Sequence, residues 1–150
     1  MSKIEAIFKA ARARARDRGL PYEGALLPAE APAVLQQQAG AQLVDVRSRA
    51  ELDFVGRVPG SVEIEWKTYP GMLPNTQFID ELKQRVPADA VVMFLCRSGG
   101  RSHDTAAAAT QAGYRDAYNV LEGFEGDRDA GGHRNTVGGW RARGLPWTQS

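Results

Sequence analysis

The sequence predicts an α/β domain of three layers: about five mostly parallel strands with helices on both faces. Three observations carry that expectation. Val91-Val92-Met93-Phe94-Leu95 is a continuous apolar run, as in a parallel strand buried on both faces. Strand-like and helix-like segments alternate along the chain, which places successive strands in one sheet through crossover connections. Polar residues follow Gln42–Arg47, and Cys96 follows Leu95, at the strand ends beyond which open α/β sheets bind their ligands.

Residues 3–18 read as an amphipathic helix. Ile4, Ile7, Phe8, Ala11 and Ala15 fall on one face, and Lys9, Arg12, Arg14, Arg16 and Arg18 mostly on the others. Gly19 and Pro21 end it. An arginine-rich start also suits an organelle transit peptide, but Glu5 and Asp17 argue against that. The helix is expected to pack on the domain or on a second copy, which leaves a homodimer open. A short helix over Ala29–Gln38 opens after Pro28 and closes at Gly40. Gln42–Arg47 reads as a buried strand, Arg49–Asp53 as a helical turn and Val58-Pro59-Gly60-Ser61 as a turn. Alternating Val62, Ile64 and Trp66 predict a strand. Thr76–Arg85 predicts a helix capped by Asn75 or Thr76, with Phe78, Ile79 and Leu82 inward. After Cys96, a helix running through Thr105–Gln111 ends at Gly113, and Ala117–Leu121 forms the next strand. Trp140, Leu145 and Trp147 are expected to close the core from a final helix, Gly139–Arg143, stopped by Pro146. The expected division is an N-terminal helical extension, 1–22, and one domain, 23–150.

With 150 residues, 43% of them hydrophobic and 25% charged, the chain can bury one core. A net charge of +1 gives no electrostatic reason to expect nucleic acid as a partner, although residues 1–19 carry +4 and the rest −3. No apolar run approaches the roughly 18 residues of a membrane span, and the N-terminus lacks the apolar stretch of a secretory signal. The expected setting is cytoplasmic. One cysteine and two histidines, His103 and His133, exclude a disulfide framework and a multi-cysteine or histidine-rich metal site. No metal or organic cofactor is expected.

The chemistry concentrates in Cys96-Arg97-Ser98-Gly99-Gly100-Arg101-Ser102. A thiol at a strand end, before glycines at a helix start, meets converging backbone N–H groups and the positive end of the helix dipole. Arg97 and Arg101 add full charges, so this thiol is expected to ionise more readily than a free cysteine.

Leu43-Val44-Asp45-Val46-Arg47 with Glu51, then Gly56-Arg57-Val58-Pro59-Gly60-Ser61, then the cysteine loop, resemble the successive signatures of the rhodanese (sulfurtransferase) family. The resemblance runs from about Ala29 to Pro146. It departs at Arg57, where family members commonly carry histidine. It implies that Cys96 accepts the outer sulfur of a small anionic donor such as thiosulfate. The resulting persulfide passes its sulfur to a thiol, or to cyanide in a test tube. The N–H groups of residues 97–101 would cradle the persulfide, Ser98 and Ser102 would donate hydroxyl hydrogen bonds, and Arg97 and Arg101 would attract the donor. Two other readings stand beside it: a sulfur-delivery or regulatory module acting through a partner docked on the N-terminal helix, and a cysteine phosphatase or arsenate reductase. The last needs five residues between cysteine and arginine. Here four intervene, and the fifth position is followed by Ser102 rather than arginine.

Structural roles compete for the same residues. Arg101 can pair with Glu51 or Asp45 and simply fix the loop. Asp45, Arg47 and Glu51 are expected to join strand and turn by ion pairs, and His103 to be a solvated surface histidine. Residues 124–137 read as a glycine- and charge-rich insertion beside the cysteine. They predict a lid with Arg128, His133 and Arg134 as substrate contacts, against the alternative of a plain surface loop. With no second cysteine, the acceptor thiol or protein must come from outside the chain.

Overall fold

The computed structural model describes residues 1–150. Helix α1, Lys3–Arg18, opens on a reciprocal cap: the Ser2 hydroxyl accepts from the Glu5 amide, and the Glu5 carboxylate from that of Ser2, both at 3.2 Å. Its apolar face, Ile7, Ala11 and Ala15, is buried within this chain. Strand β1, Gly24–Leu26, lies beneath it, and no element was expected there. Arg14 ties α1 to β1 and to α2 (Glu30–Gln37), donating to the Ala25 carbonyl and the Glu30 carboxylate at 2.8 Å each.

The main sheet adds β2 (Gln42–Asp45), β3 (Val62–Glu63), β6 (Val92–Leu95) and β7 (Ala117–Val120) in the order β1-β7-β6-β2-β3, every pair parallel. Parity along the strands divides the core. Leu43, Met93, Leu95, Tyr118 and Val120 face α1, α2 and Trp140. Val44, Val46, Val92, Phe94 and Ala117 face α4 (Phe78–Arg85) and α5 (Gly100–Gln111). Burying each large apolar side chain stabilises the fold by about 1.5–3 kcal/mol, enough to fix strand register against a one-residue slip. Cys96 continues the Val92–Phe94 parity, and Phe94 is paired across the sheet with Asn119.

The differences from expectation have local causes. β3 ends at Glu63, yet the Ile64 and Trp66 amides still donate to the Asp45 and Val46 carbonyls, so the edge continues irregularly. Lys67–Thr68 (β4) and Leu73–Pro74 (β5) form a two-stranded hairpin that periodicity did not reveal. α4 begins at Phe78 because the Asn75 side chain caps a turn, accepting from Gln77 N–H and donating to the Glu65 carbonyl. Helix α3, Arg49–Phe54, starts from a Ser48–Glu51 capping box. No helix forms over 139–143. Trp140 reaches the core from a turn, its amide donating to Gly123 and its indole to Pro146, while Leu145 and Trp147 pack alongside.

One buried ion pair joins these parts. Asp45 and Arg47 are both fully buried, and the carboxylate accepts from Nε and Nη2 of the guanidinium, the shorter contact 2.7 Å. Arg47 also donates to the Gly56 carbonyl at 2.9 Å and lies 4.1 Å from the Phe124 ring centroid. Removing one partner strands the other charge in the core. We predict that Asp45→Ala lowers unfolding free energy by about 3–5 kcal/mol in urea titrations, and that adding Arg47→Met restores a large part of it.

Candidate active site

Cys96 leaves β6 and is 1% exposed; its surroundings therefore decide what can reach it. Gly99 turns the chain with a φ of 111°, a conformation that side chains resist, and α5 starts at the next residue. The turn brings the Gly99 amide to 3.1 Å from Sγ, as its donor. The leading N–H groups of α5 have no intrahelical acceptors and face the same end. A cavity of about 280 Å³ opens over the sulfur, walled by Lys67, Met72, Arg97, Ser98, Gly100 and Arg101.

Arg101 does not point freely into this cavity. Its guanidinium grips Glu51 with two parallel hydrogen bonds, Nη1–Oε1 at 2.7 Å and Nη2–Oε2 at 2.9 Å. The reading of Arg101 as a clamp between loop and α3 is therefore the one its geometry supports. Burial works against the Glu51 charge, but hydrogen bonds from Arg101, the Arg101 charge and bonds from Ser48 together hold its carboxyl down to about 2. Arg97 is exposed on the cavity wall and makes no ion pair, nor does Lys67 in the same lining, which leaves both open to an anionic ligand.

The segment after β7 holds the loop from behind. Phe124 N–H donates to the Cys96 carbonyl at 2.8 Å, and the Glu125 and Gly126 amides donate to Arg97 at 3.0 and 3.2 Å. This closeness explains Gly123: a Cβ there would lie 2.5–2.6 Å from the carbonyls of Arg97 and Cys96.

The geometry is that of a cysteine cradle at a sheet edge, and comparison with known proteins names it. The model of the rhodanese-like domain matches residues 28–130. The chain belongs to the rhodanese-like family. Among its relatives, an uncharacterized protein of Rickettsia conorii is 37% identical over 109 residues, covering 71% of this chain and 82% of that one. The thylakoid rhodanese-like protein of rice is 32% identical over 134 residues, 85% of this chain but 25% of its own length. The crystal structure of Rv0390 from M. tuberculosis superposes with a TM-score of 0.79 at 47% identity, covering 86% of this chain and 99% of that one. The polysulfide-sulfur transferase homodimer from Wolinella succinogenes shares the fold, with a TM-score of 0.59 at 21% identity and coverage of 99% and 91%.

In this rhodanese-like domain the 124–137 insertion is an ordered loop. Asp129 organises it, accepting from the amides of Gly131 and His133 and from the Thr136 hydroxyl; these bonds, that from His133 first, hold its carboxyl below the usual range. Arg128 and Arg134 join Ser98 around a cavity of about 470 Å³, and Arg134 also meets Arg97 and Arg101 around a second one of about 520 Å³. His133 lines neither cavity, so the structure does not bring it to the sulfur as the lid reading expected. His103 is not merely solvated: it is half-buried, and its Nδ1 lies 2.8 Å from the Tyr22 hydroxyl. Asn119, Tyr22, Lys67 and Met72 joined the site unannounced. Of these only Asn119 left a trace, as an amide in the otherwise apolar Ala117–Leu121 strand.

The Glu51 carboxyl titrates lower in the fold than its ordinary 4.5, so the contribution of its pair with Arg101 is complete above that value and fades as pH falls through about 2. Glu51→Gln is expected to cost about 2 kcal/mol at pH 7, with the gap from wild type closing progressively below pH 4.5 in urea midpoints measured across the acid range.

Proposed function

We propose that this protein is a sulfurtransferase that carries sulfane sulfur as a persulfide on Cys96. The observation that carries the reading is the Cys96 sulfur on the floor of a small cavity, held by the Gly99 amide, with the unpaired cation Arg97 at the wall. Thiosulfate, a small dianion, matches that cavity in size and charge. Cys96 gives up its proton, which the departing sulfite carries away as hydrogensulfite, and the sulfur electron pair forms a bond to the outer sulfur of thiosulfate. The sulfur–sulfur bond of the donor breaks, and sulfite departs with the bonding pair. The outer sulfur of the persulfide then rests against the leading amides of α5. An external thiolate attacks that sulfur, and Cys96 leaves as thiolate, so no oxidant or reductant is consumed.

The acceptor arrives from outside because Cys96 is the sole cysteine. The 520 Å³ cavity shares Met72, Arg97 and Arg101 with the cavity over the sulfur, and it has room for a thiol larger than the donor. Arg134 of the insertion lines that cavity and acts on the larger partner, with Arg128 on the neighbouring one beside Ser98, in keeping with a lid that selects the acceptor.

Incubation with thiosulfate is expected to add one sulfur to the intact protein by mass spectrometry, and cyanide to remove it as thiocyanate. Both signals vanish in Cys96→Ser; their persistence there, or their absence in wild type, overturns the reading. Arg97→Ala is expected to raise KM for thiosulfate about tenfold with little change in kcat, the cost of one charge-assisted contact. Persulfide formation without turnover on any small thiol would favour the delivery-module reading.

A further inference from the structure

Behind Cys96, on the side away from the cavity, lies a chain of polar groups that the transfer chemistry does not use. Sγ is 3.3 Å from the Ser102 hydroxyl, which lies 2.6 Å from Asn119 Oδ1. Asn119 Nδ2 lies 3.3 Å from both the Gly99 carbonyl and the Tyr22 hydroxyl, and Tyr22 reaches His103 Nδ1. Ser102 and Asn119 are buried.

Donor count fixes the direction of this chain. The Gly99 carbonyl has no proton, so the side-chain group of Asn119 that faces it must be the NH₂. Its oxygen is thereby turned to Ser102, and at 2.6 Å that contact requires the serine to donate. A hydroxyl carries one hydrogen. With that hydrogen committed to Asn119, Ser102 can offer Cys96 only a lone pair, and any hydrogen between them belongs to the thiol. The sulfur then sits between a donor, Gly99 N–H, and an acceptor, Ser102 Oγ. This reverses the donating role expected for Ser102 from sequence.

We propose that Asn119 is a positioning residue that locks the Ser102 hydroxyl as an acceptor from Cys96, so that the resting cysteine is restrained as a thiol until sulfur transfer removes its proton. The inference deepens the sulfurtransferase reading and rests on it for its purpose: a buried thiol that keeps its proton resists alkylation and oxidation between turnovers. Persulfide formation replaces the S–H by an S–S bond, which ends the hydrogen bond to Ser102 while leaving Ser102 bound to Asn119.

Other groups facing Cys96 do not share this role. Lys67 comes from the β4–β5 hairpin, Arg97 and Arg101 from the loop and α5. Glu51 from α3 is engaged with Arg101, and Asp45 from β2 with Arg47. His103 and Tyr22 touch only the far side of Asn119. None of these groups bonds the Ser102 side chain, so Ser102→Ala leaves their contacts alone, whereas Asn119→Ala also removes the donor to Tyr22 and to the Gly99 carbonyl.

The sign of one measurement decides the matter. The rate of Cys96 alkylation by iodoacetamide is followed against pH in the full chain, without any sulfur donor. Ser102→Ala removes an acceptor for the S–H, and Asn119→Ala frees the serine hydroxyl to donate to the thiolate. Each is expected to lower the midpoint of the profile by about 0.5 pH unit or more, the worth of one neutral hydrogen bond. In the double variant the gain of Asn119→Ala from a freed Ser102 hydroxyl disappears. A midpoint that rises in Ser102→Ala, or that moves in neither single variant, overturns the proposal. Should Asn119→Ala fail to fold, Ser102→Ala alone still carries the sign. Failure of the sulfurtransferase reading would show separately, as no persulfide with any donor while the alkylation shifts remain.

Discussion

Cys96 ends a strand and begins a helix-nucleating turn within four residues, and the carbonyls at that junction cannot find partners in either element. Those of Cys96 and Arg97 accept instead from the amides of Phe124, Glu125 and Gly126. An unpaired buried carbonyl would cost on the order of 1–3 kcal/mol, so the two segments are bound to each other. The rest follows from that constraint. Gly123 must lack a side chain, because any Cβ would strike the carbonyls being satisfied. Phe124 is then delivered to the core, where its ring meets the buried Arg47 guanidinium. The glycine-rich stretch beyond it emerges beside Ser98. The insertion sits at the sulfur because the cysteine turn needs a backbone there.

Electrostatics divides the arginines by task. Arg47 is buried with Asp45 and joins β2, the Gly56 turn and Phe124. Arg101 is half-spent: its two donors go to Glu51, which fixes α5 against α3 while the guanidinium still forms part of the cavity wall. Arg97 is exposed and makes no ion pair. The loop thus presents the cavity with one paired guanidinium and one unpaired one.

Much of this was legible because period and punctuation are local. The apolar run at 91–95, the glycines at 99 and 100 and the helix start after them needed no tertiary information, nor did the buried strand at 42–47. Most of what escaped depended on partners distant in sequence. Gly24–Leu26 is too short to show a period, and it becomes a strand by pairing with 118–120. Gly139–Arg143 has helical spacing and makes one helical bond, Arg143 to Gly139, but the chain turns out at Gly144, whose φ is 74°, and the Leu145 amide goes back to Trp140. Ser102 looked like a donor because a hydroxyl can always be one. Only Asn119, seventeen positions later and fixed by the Gly99 carbonyl, determines where its single hydrogen points.

The buried position of Cys96 and its solitude bear on the same question from two sides. A thiol exposed enough to meet a protein partner directly would need no cavity; one sealed in the core would exchange with nothing. This sulfur is covered on the sheet side by Ser102 and Asn119 and open only through the space between Met72, Lys67 and Arg97. Whatever reaches this sulfur must therefore do so as the end of something narrow. Beside that opening is the larger cavity flanked by Arg134 and Tyr69, where the bulk behind such an end would lie. In the proposed sulfurtransferase reading the cradle meets only the transferred atom, while the bulk behind it meets Arg134 and Tyr69 as well as the shared Met72, Arg97 and Arg101.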